Sequence, residues 1–215
     1  MNELIIIGAG GFGREVAWLV ERINAELPRW KLVGFVDDDR EKTGLTINGH
    51  TVLGTTDVLE EYGKCKLVCA VGFAQTRRKI VEKIKRRFPK AEFATLIDPD
   101  AIISDLNTVG DGCIICAGNI LTVNITIGDH VIINLSSTVG HDAVISDYVT
   151  VYPGVNVSGF VTIGEATEIG TGTQILPGKN VGKESLIGAG AVVINDIPDR
   201  CTAVGCPAKP IKMHE

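Results

Sequence analysis

The residues best equipped for chemistry in this 215-residue chain are His141 and Asp142, in Thr138-Val139-Gly140-His141-Asp142. An imidazole can take or give a proton near neutral pH, and an adjacent carboxylate can orient or polarise it. Eighteen residues further on stands Gly159, between Ser158 and Phe160. If residues eighteen apart stack, as argued below, Gly159 lies about 4.8 Å from His141 and carries no side chain. Its backbone N–H could then meet a developing oxyanion. Histidine, carboxylate and amide are the parts needed for acyl transfer by general base catalysis. His50, His130 and His214 stand in less distinctive contexts.

A second group opens the chain. The apolar run Leu4 to Ile7 enters Gly8-Ala9-Gly10-Gly11-Phe12-Gly13-Arg14-Glu15. Glycines at a strand-to-helix turn let backbone N–H groups approach phosphate at a helix N-terminus. The next strand, Lys31 to Val36, ends in Asp37-Asp38-Asp39, whose carboxylates could take a ribose or sugar hydroxyl. A full dinucleotide domain needs two mononucleotide-binding halves, and 96 residues hold about one. A nucleotide-sugar therefore fits better than NAD. The other reading of the glycines is a tight turn and nothing more.

A third group is dismissed. Cys113-x-x-Cys116 has no second CxxC and no histidine at zinc-finger spacing. The six cysteines read as ordinary buried or semi-buried thiols, and no metal is expected.

The elements that must position these groups differ between the two halves. Residues 1–96 hold 16 Lys+Arg and 13 Asp+Glu; residues 97–215 hold 5 and 13. Eight of the eleven aromatics lie in the first half. The first half reads as α/β, a half-Rossmann-like βαβ unit. Its strands are Leu4 to Ile7, Lys31 to Val36 and Leu67 to Val71. An amphipathic helix runs through Trp18, Leu19 and Ile23, and a basic helix from Thr76 to Arg87 reads as a solvated face.

The second half steps by six. From Ile97 through Ile103, Val109 and Ile115 to Ile187 and Val193, seventeen consecutive sixth positions are aliphatic. The next residue is often glycine, and the residue two before is often small or β-branched, as at Ser137 and Ala143. Neither a helix nor an ordinary strand has this period. A fixed hexapeptide means a solenoid whose units bury their apolar side chains only by stacking. Three six-residue sides close a triangular coil of parallel β-helix, with aliphatics inward and glycine relieving the corners. Tyr148, Tyr152 and Phe160, the three aromatics of this half, fall in the coil of His141 or the next, and are expected around it.

Composition narrows the class further. The net charge of −5 argues against a general nucleic-acid binder. No apolar run approaches the ~18 residues of a membrane span, and the opening reads as a strand and not a secretory segment. A cytoplasmic location is expected.

The GAGGFGRE opening, the GFVDDD strand, the AVG turn, the hexapeptides with Gly140-His141-Asp142, and the closing Ala203-Val204-Gly205-Cys206-Pro207-Ala208-Lys209-Pro210 resemble the bacterial sugar acyltransferases of the NeuD/PglD type. The resemblance spans essentially the whole chain. It implies a left-handed coil, a homotrimer with sites between subunits, and a place in polysaccharide biosynthesis. It also implies acetyl-CoA as donor and a nucleotide-sugar amine as acceptor. By the same resemblance His141 is the general base and Asp142 raises its basicity. Gly10, Gly11, Phe12, Asp37, Asp38, Gly72 and Gln75 contact the nucleotide-sugar. Gly159, Thr171 and Ala189 serve acetyl-CoA, and Thr150 is placed with them. Residues 1–96 would bind the acceptor and residues 97–215 would form the acyltransferase domain. Two positions depart from the pattern: Phe12 and Thr150 stand where many members carry histidine. The first could not hydrogen-bond a sugar, and the second could meet His141's site only across a subunit interface.

Three other readings are weighed. One is an O-acetyltransferase on a sialic-acid-like hydroxyl. Another is a non-catalytic nucleotide-sugar-binding trimeric scaffold. A zinc hydratase on the same solenoid would need three convergent histidines, and the repeat region holds only His130 and His141.

Overall fold

The computed structural model describes residues 1–214. Its N-terminal part is an α/β unit built on β1 (Asn2–Ile7), β2 (Trp30–Val36), β3 (Thr46–Ile47), β4 (His50–Gly54) and β5 (Lys66–Cys69). These form one sheet in the order β3-β4-β2-β1-β5, parallel except for β3. The interior strand β1 buries Leu4, Ile5 and Ile6 completely, which is why it reads as a continuous apolar run and not an alternating one. The hairpin of β3 and β4 carries no strong apolar pattern. Its turn is made by Asn48 and Gly49, both at positive φ, so His50 opens a strand.

Helix α1 (Gly11–Glu26) buries Val16, Ala17, Leu19 and Val20 against the sheet. Trp18 does not share that face: it is 51% exposed, with the Arg22 guanidinium 5.2 Å from its ring centre. It lies about 100° around the helix from each neighbour. β5 ends two residues sooner than the sequence pattern suggests, and α2 (Ala74–Arg87) begins two residues earlier. The intervening turn thus carries Gly72.

The rest of the chain is a parallel β-helix. Two-residue strands run from Leu96–Ile97 to Val192–Val193, each ending on one of the periodic aliphatics. Each pairs with the strand eighteen residues away, as in Val139 with Val157 and Ile145 with Ile163. Three sheets result. The aliphatics from Ile115 to Val193 are at most 2% exposed and form one column-like core. Alternation along the strand turns the residue two before each aliphatic inward as well. Ser137, Ala143, Thr167 and Ala191 are accordingly buried, which accounts for their small size.

Where a glycine follows the aliphatic, it acts differently from expectation. It does not adopt positive φ. Instead it lets successive coils approach: a Cβ on Gly140 would lie 2.5 Å from the Gly159 nitrogen, and one on Gly164 2.5 Å from the Lys183 nitrogen. The left-handed conformation comes two residues later, at the third place after the aliphatic. Gly154 and Gly172 take it freely, but so do Asp142, His130, Tyr148 and Phe160. For bulky residues this costs about 1–2 kcal/mol each.

The N-terminal unit sits on one sheet of the coil. Ile114, Cys116 and Ile132 point outward from that sheet into a cluster shared with Leu4, Ile6, Val16 and Phe35. Each isoleucine so buried contributes about 1.5–3 kcal/mol. Arg22 of α1 adds a two-pronged pair to buried Asp98, at 2.7 and 3.0 Å. A hairpin of Cys201–Val204 and Lys209–Met213 closes the far end of the coil. No helix among the described residues is long and apolar enough to cross a membrane.

At the junction lies His130, fully buried, its ring stacked on Tyr148 at 5.2 Å and edge-on to Phe93 at 4.7 Å. Neither ring nitrogen has a hydrogen-bond partner among the described residues. Burial pushes its pKa down to about 4, helped by the Lys85 and Arg77 cations. The unfolded chain binds this proton below about pH 6.5 and the folded chain does not, so stability is intact above that pH and falls toward pH 4. The loss approaches about 3 kcal/mol at full development. His130→Asn, which tolerates the left-handed backbone, should flatten the decline in urea midpoint between pH 7 and pH 4.5. An unchanged slope would count against His130 as its source.

Candidate active site

His141 sits on an outer corner of the coil, two residues past inward Val139, with its side chain 54% exposed. Its Nδ1 lies 2.9 Å from Oδ2 of Asp142. Asp142 occupies the left-handed position of the corner, which turns its short side chain back toward the preceding imidazole. With the proton on Nδ1 shared with the carboxylate, Nε2 is left as the acceptor.

One coil on, Gly159 stacks directly against the ring. A Cβ at Gly159 would stand 2.7 Å from both Cε1 and Nε2 of His141. Phe160 packs edge-on against the imidazole from the same coil, ring centres 5.0 Å apart at 87°. On another edge of the coil the N–H groups of Asp111, Asp129 and Lys183 are each capped by an aspartate of the next coil. Gly159 has Pro177 in the corresponding place, and its N–H makes no hydrogen bond among the described residues. The residue that stacks on the Nε2 side of the histidine therefore carries an uncapped amide.

Only one of the three aromatics expected around His141 is there. Tyr148 stacks on His130, and the Tyr152 hydroxyl donates to Glu168 Oε2 at 3.0 Å. The three are twelve residues or fewer apart, but a triangular coil of eighteen sends them to different edges. Thr171 and Ala189 are exposed and stack on each other, with the Gly190 N–H donating to the Thr171 carbonyl at 2.8 Å. Their edge is one six-residue side away from His141, so a single chain does not bring them to it. Thr150 is not beside Gly159 either. It lies on the sheet facing the N-terminal unit, 1% exposed, and its hydroxyl donates to the Gly72 carbonyl at 2.6 Å. That placement puts it beside Gly72 and away from Gly159 of the same chain.

The residues expected to hold the sugar follow the C-terminal ends of β2, β1 and β5, but Gln75, in α2, lines a separate cavity with Phe73, Thr76, Glu168 and Glu184. Gly13 is dictated by packing, because a Cβ would collide with the Gly8 carbonyl. Gly10 and Gly11 are not: a Cβ on Gly10 would meet nothing within 4 Å, and one on Gly11 only the far end of Arg14. Their bareness leaves the first amides of α1 open, with no side-chain cap and no acid in the first turn. Asp37 accepts from the Ala9 N–H at 2.9 Å and the Asp39 N–H at 3.0 Å, and meets Lys42 at 3.0 Å. Burial would raise its pKa, but these partners outweigh burial and hold it below the ordinary carboxylate value. Asp38 is lowered against burial in the same way, by the Thr56 amide and hydroxyl and by Lys83. Both carboxylates thus also brace the loops that carry them.

Phe12, Glu15, Gly72, Ile132, Thr150 and Tyr152 line a small cavity of about 140 Å³ between α1 and the coil, with Asn134 at its edge. A larger cavity, about 520 Å³ among Leu59, Tyr62, Leu67 and Phe88, is at the opposite end of the sheet from these residues. Sequence reasoning also missed Arg77. It belongs to the helix read as a solvated basic face, yet it is 1% exposed. The apolar spacing of Ala74, Val81 and Ile84 around it was the available signal.

A glycine-turn α/β unit seated on a hexapeptide coil with an outward His–Asp pair defines an acyltransferase architecture. Sequence and structure comparisons make the class specific. The PglD N-terminal domain family matches residues 3–84. The acetyltransferase domain of PglB from Neisseria gonorrhoeae FA1090 is 34% identical, covers 98% of this chain and 100% of its own, and superposes with a TM-score of 0.88. PerB from Caulobacter crescentus, solved with CoA and GDP-perosamine, is 29% identical over 98% of this chain and 97% of its own, TM-score 0.88. WeeI from Acinetobacter baumannii AYE is 29% identical over 98% of this chain and 100% of its own, TM-score 0.85. A Schizosaccharomyces pombe protein named for acetyltransferase activity is 60% identical over 40 residues, a stretch that spans 19% of either chain. The chain belongs to the PglD/NeuD-type family of sugar acetyltransferases, and its coil is the left-handed β-helix of that family.

Proposed function

We propose that the protein transfers the acetyl group of acetyl-CoA to an amino group of a nucleotide-linked sugar, with His141 as general base. The observation that carries this reading is the contact of His141 with Gly159: a base and an uncapped amide one coil apart, with Asp142 orienting the ring. His141 Nε2 removes a proton from the acceptor amine as its nitrogen bonds to the thioester carbonyl carbon. The Gly159 N–H stabilises the oxyanion. The carbon–sulfur bond then breaks, and the imidazolium returns its proton to the departing thiolate.

In this reading residues 1–96 hold the nucleotide-sugar through the open amides at Gly10 and Gly11, the turn carrying Gly72, and Gln75 at the start of α2. Residues 97–215 carry the acyl transfer. The structural relatives support both ligands: PerB was solved with CoA and GDP-perosamine, and the PglB domain with acetyl coenzyme A. A homotrimer is part of the proposal. His141 and the sugar-side cavity lie on different faces of one chain, and Ile102, Leu106, Ile120 and Phe160 stand exposed on the coil. A second copy would bring the two half-sites together.

The test is release of free CoA thiol from acetyl-CoA with a panel of amino-sugar nucleotides, beside free sialic acid. Turnover with an amino-sugar nucleotide supports the reading; turnover with sialic acid alone replaces amine by hydroxyl. No release with any acceptor would leave a binding scaffold.

A further inference from the structure

We infer that Arg77 is a positioning residue for the nucleotide-sugar, locking the turn 71–74 onto the β-helix so that Gly72 and Gln75 are presented in a single geometry. The inference rests on the acceptor reading above. Arg77 lies in the first turn and a half of α2, is 1% exposed, and forms no ion pair among the described residues. Its donors go to backbone carbonyls instead. Nε reaches His130 O at 2.9 Å, and Nη2 reaches Tyr148 O at 2.7 Å and Val149 O at 3.1 Å, all in the coil. Nη1 turns the other way, to Val71 O at 2.7 Å and Gly72 O at 3.0 Å. One rigid guanidinium fork therefore ties the turn to two successive coils. Burial pushes its pKa down to about 10, so it stays cationic at neutral pH.

Other groups of the coil converge on the same turn. The Thr150 hydroxyl donates to Gly72 O at 2.6 Å. Glu168 Oε1 accepts from the Ala74 N–H at 2.9 Å, supplying the cap that α2 lacks in its own sequence. Its Oε2 takes the Tyr152 hydroxyl, and Tyr152 also lines the small cavity beside Phe12. Contacts that merely glued two units together could fall anywhere on the interface. These fall on successive peptide groups of the turn, from Val71 to Ala74, immediately before exposed Gln75. Pre-set geometry removes an ordering cost from ligand binding.

The decisive variant is Arg77→Lys, which keeps the charge but loses the planar fork. It should raise the KM for the nucleotide-sugar about tenfold or more, with kcat and the KM for acetyl-CoA within about twofold of wild type. Thr150→Val should move the same constant in the same direction, and Thr150→Ser should restore it. In hydrogen exchange, amides 72–76 should lose protection in Arg77→Lys while those of Ile114–Ile115 keep theirs. Equal changes in both KM values, or none, would overturn the role, as would unchanged exchange at 72–76. If wild type turns over no nucleotide-sugar, the acceptor reading fails alone and hydrogen exchange decides the clamp. If Arg77→Lys does not fold, Thr150→Val carries both measurements.

Discussion

His141→Ala is expected to lower kcat by about 10² or more, the range that general base catalysis supplies. The ring is half exposed on a coil corner, and its partner Asp142 is 38% exposed, so little packing is lost. The melting temperature should barely move, as for other surface changes of about 0.5 kcal/mol or less. The KM for acetyl-CoA should change less than kcat, because proton removal is an interaction of the transition state. Steady-state thiol release together with a thermal melt separates the two effects. Turnover like wild type would end the assignment of His141 as base.

The second large effect is expected from a single methyl group. In Gly159→Ala the new Cβ would stand 2.7 Å from Cε1 and Nε2 of His141, closer than van der Waals contact allows. Gly159 is not at positive φ, so alanine brings no backbone strain, and the coil should fold unchanged. The imidazole must yield instead. Phe160 packs edge-on against one side of it, so it cannot simply rotate within its present site. A displacement near 1 Å costs about 10² in rate when reacting groups are misplaced. The expected result is a fall of that order in kcat/KM with an intact melting transition. A fully active Gly159→Ala would show that catalysis does not depend on the present placement of the His141 ring against residue 159.

Much of this site was readable in advance because of the period. Seventeen aliphatics at sixth positions identify a coil of eighteen, and a coil of eighteen puts residue 141 beside residue 159 whatever else the chain does. The same arithmetic failed where only proximity in sequence was used. Tyr148, Tyr152 and Phe160 are close in the chain, but the triangular coil distributes them among His130, Glu168 and His141. Thr150 shows a related limit. Its direction follows from the repeat, but what covers that face does not, and the cover is the Gly72 turn. The hairpin at Asn48-Gly49 went unread because its strands are short and weakly apolar.

Arg77 marks the clearest boundary. In sequence it is one cation among many on a basic helix, and helices of that kind usually face water. Its burial depends on α2 lying along the coil at Tyr148 and His130, a docking that no local pattern encodes. The sequence by itself determined the β-helix, the glycine turn and the His141–Gly159 stack, because each follows from short-range periodicity or from the needs of a single turn. The tertiary structure alone decided how the two halves meet. It decided which cation is buried, what Thr150 serves and which carboxylate caps α2. Those outcomes come from long-range packing, in which partners 53 to 94 residues apart satisfy one another's hydrogen bonds.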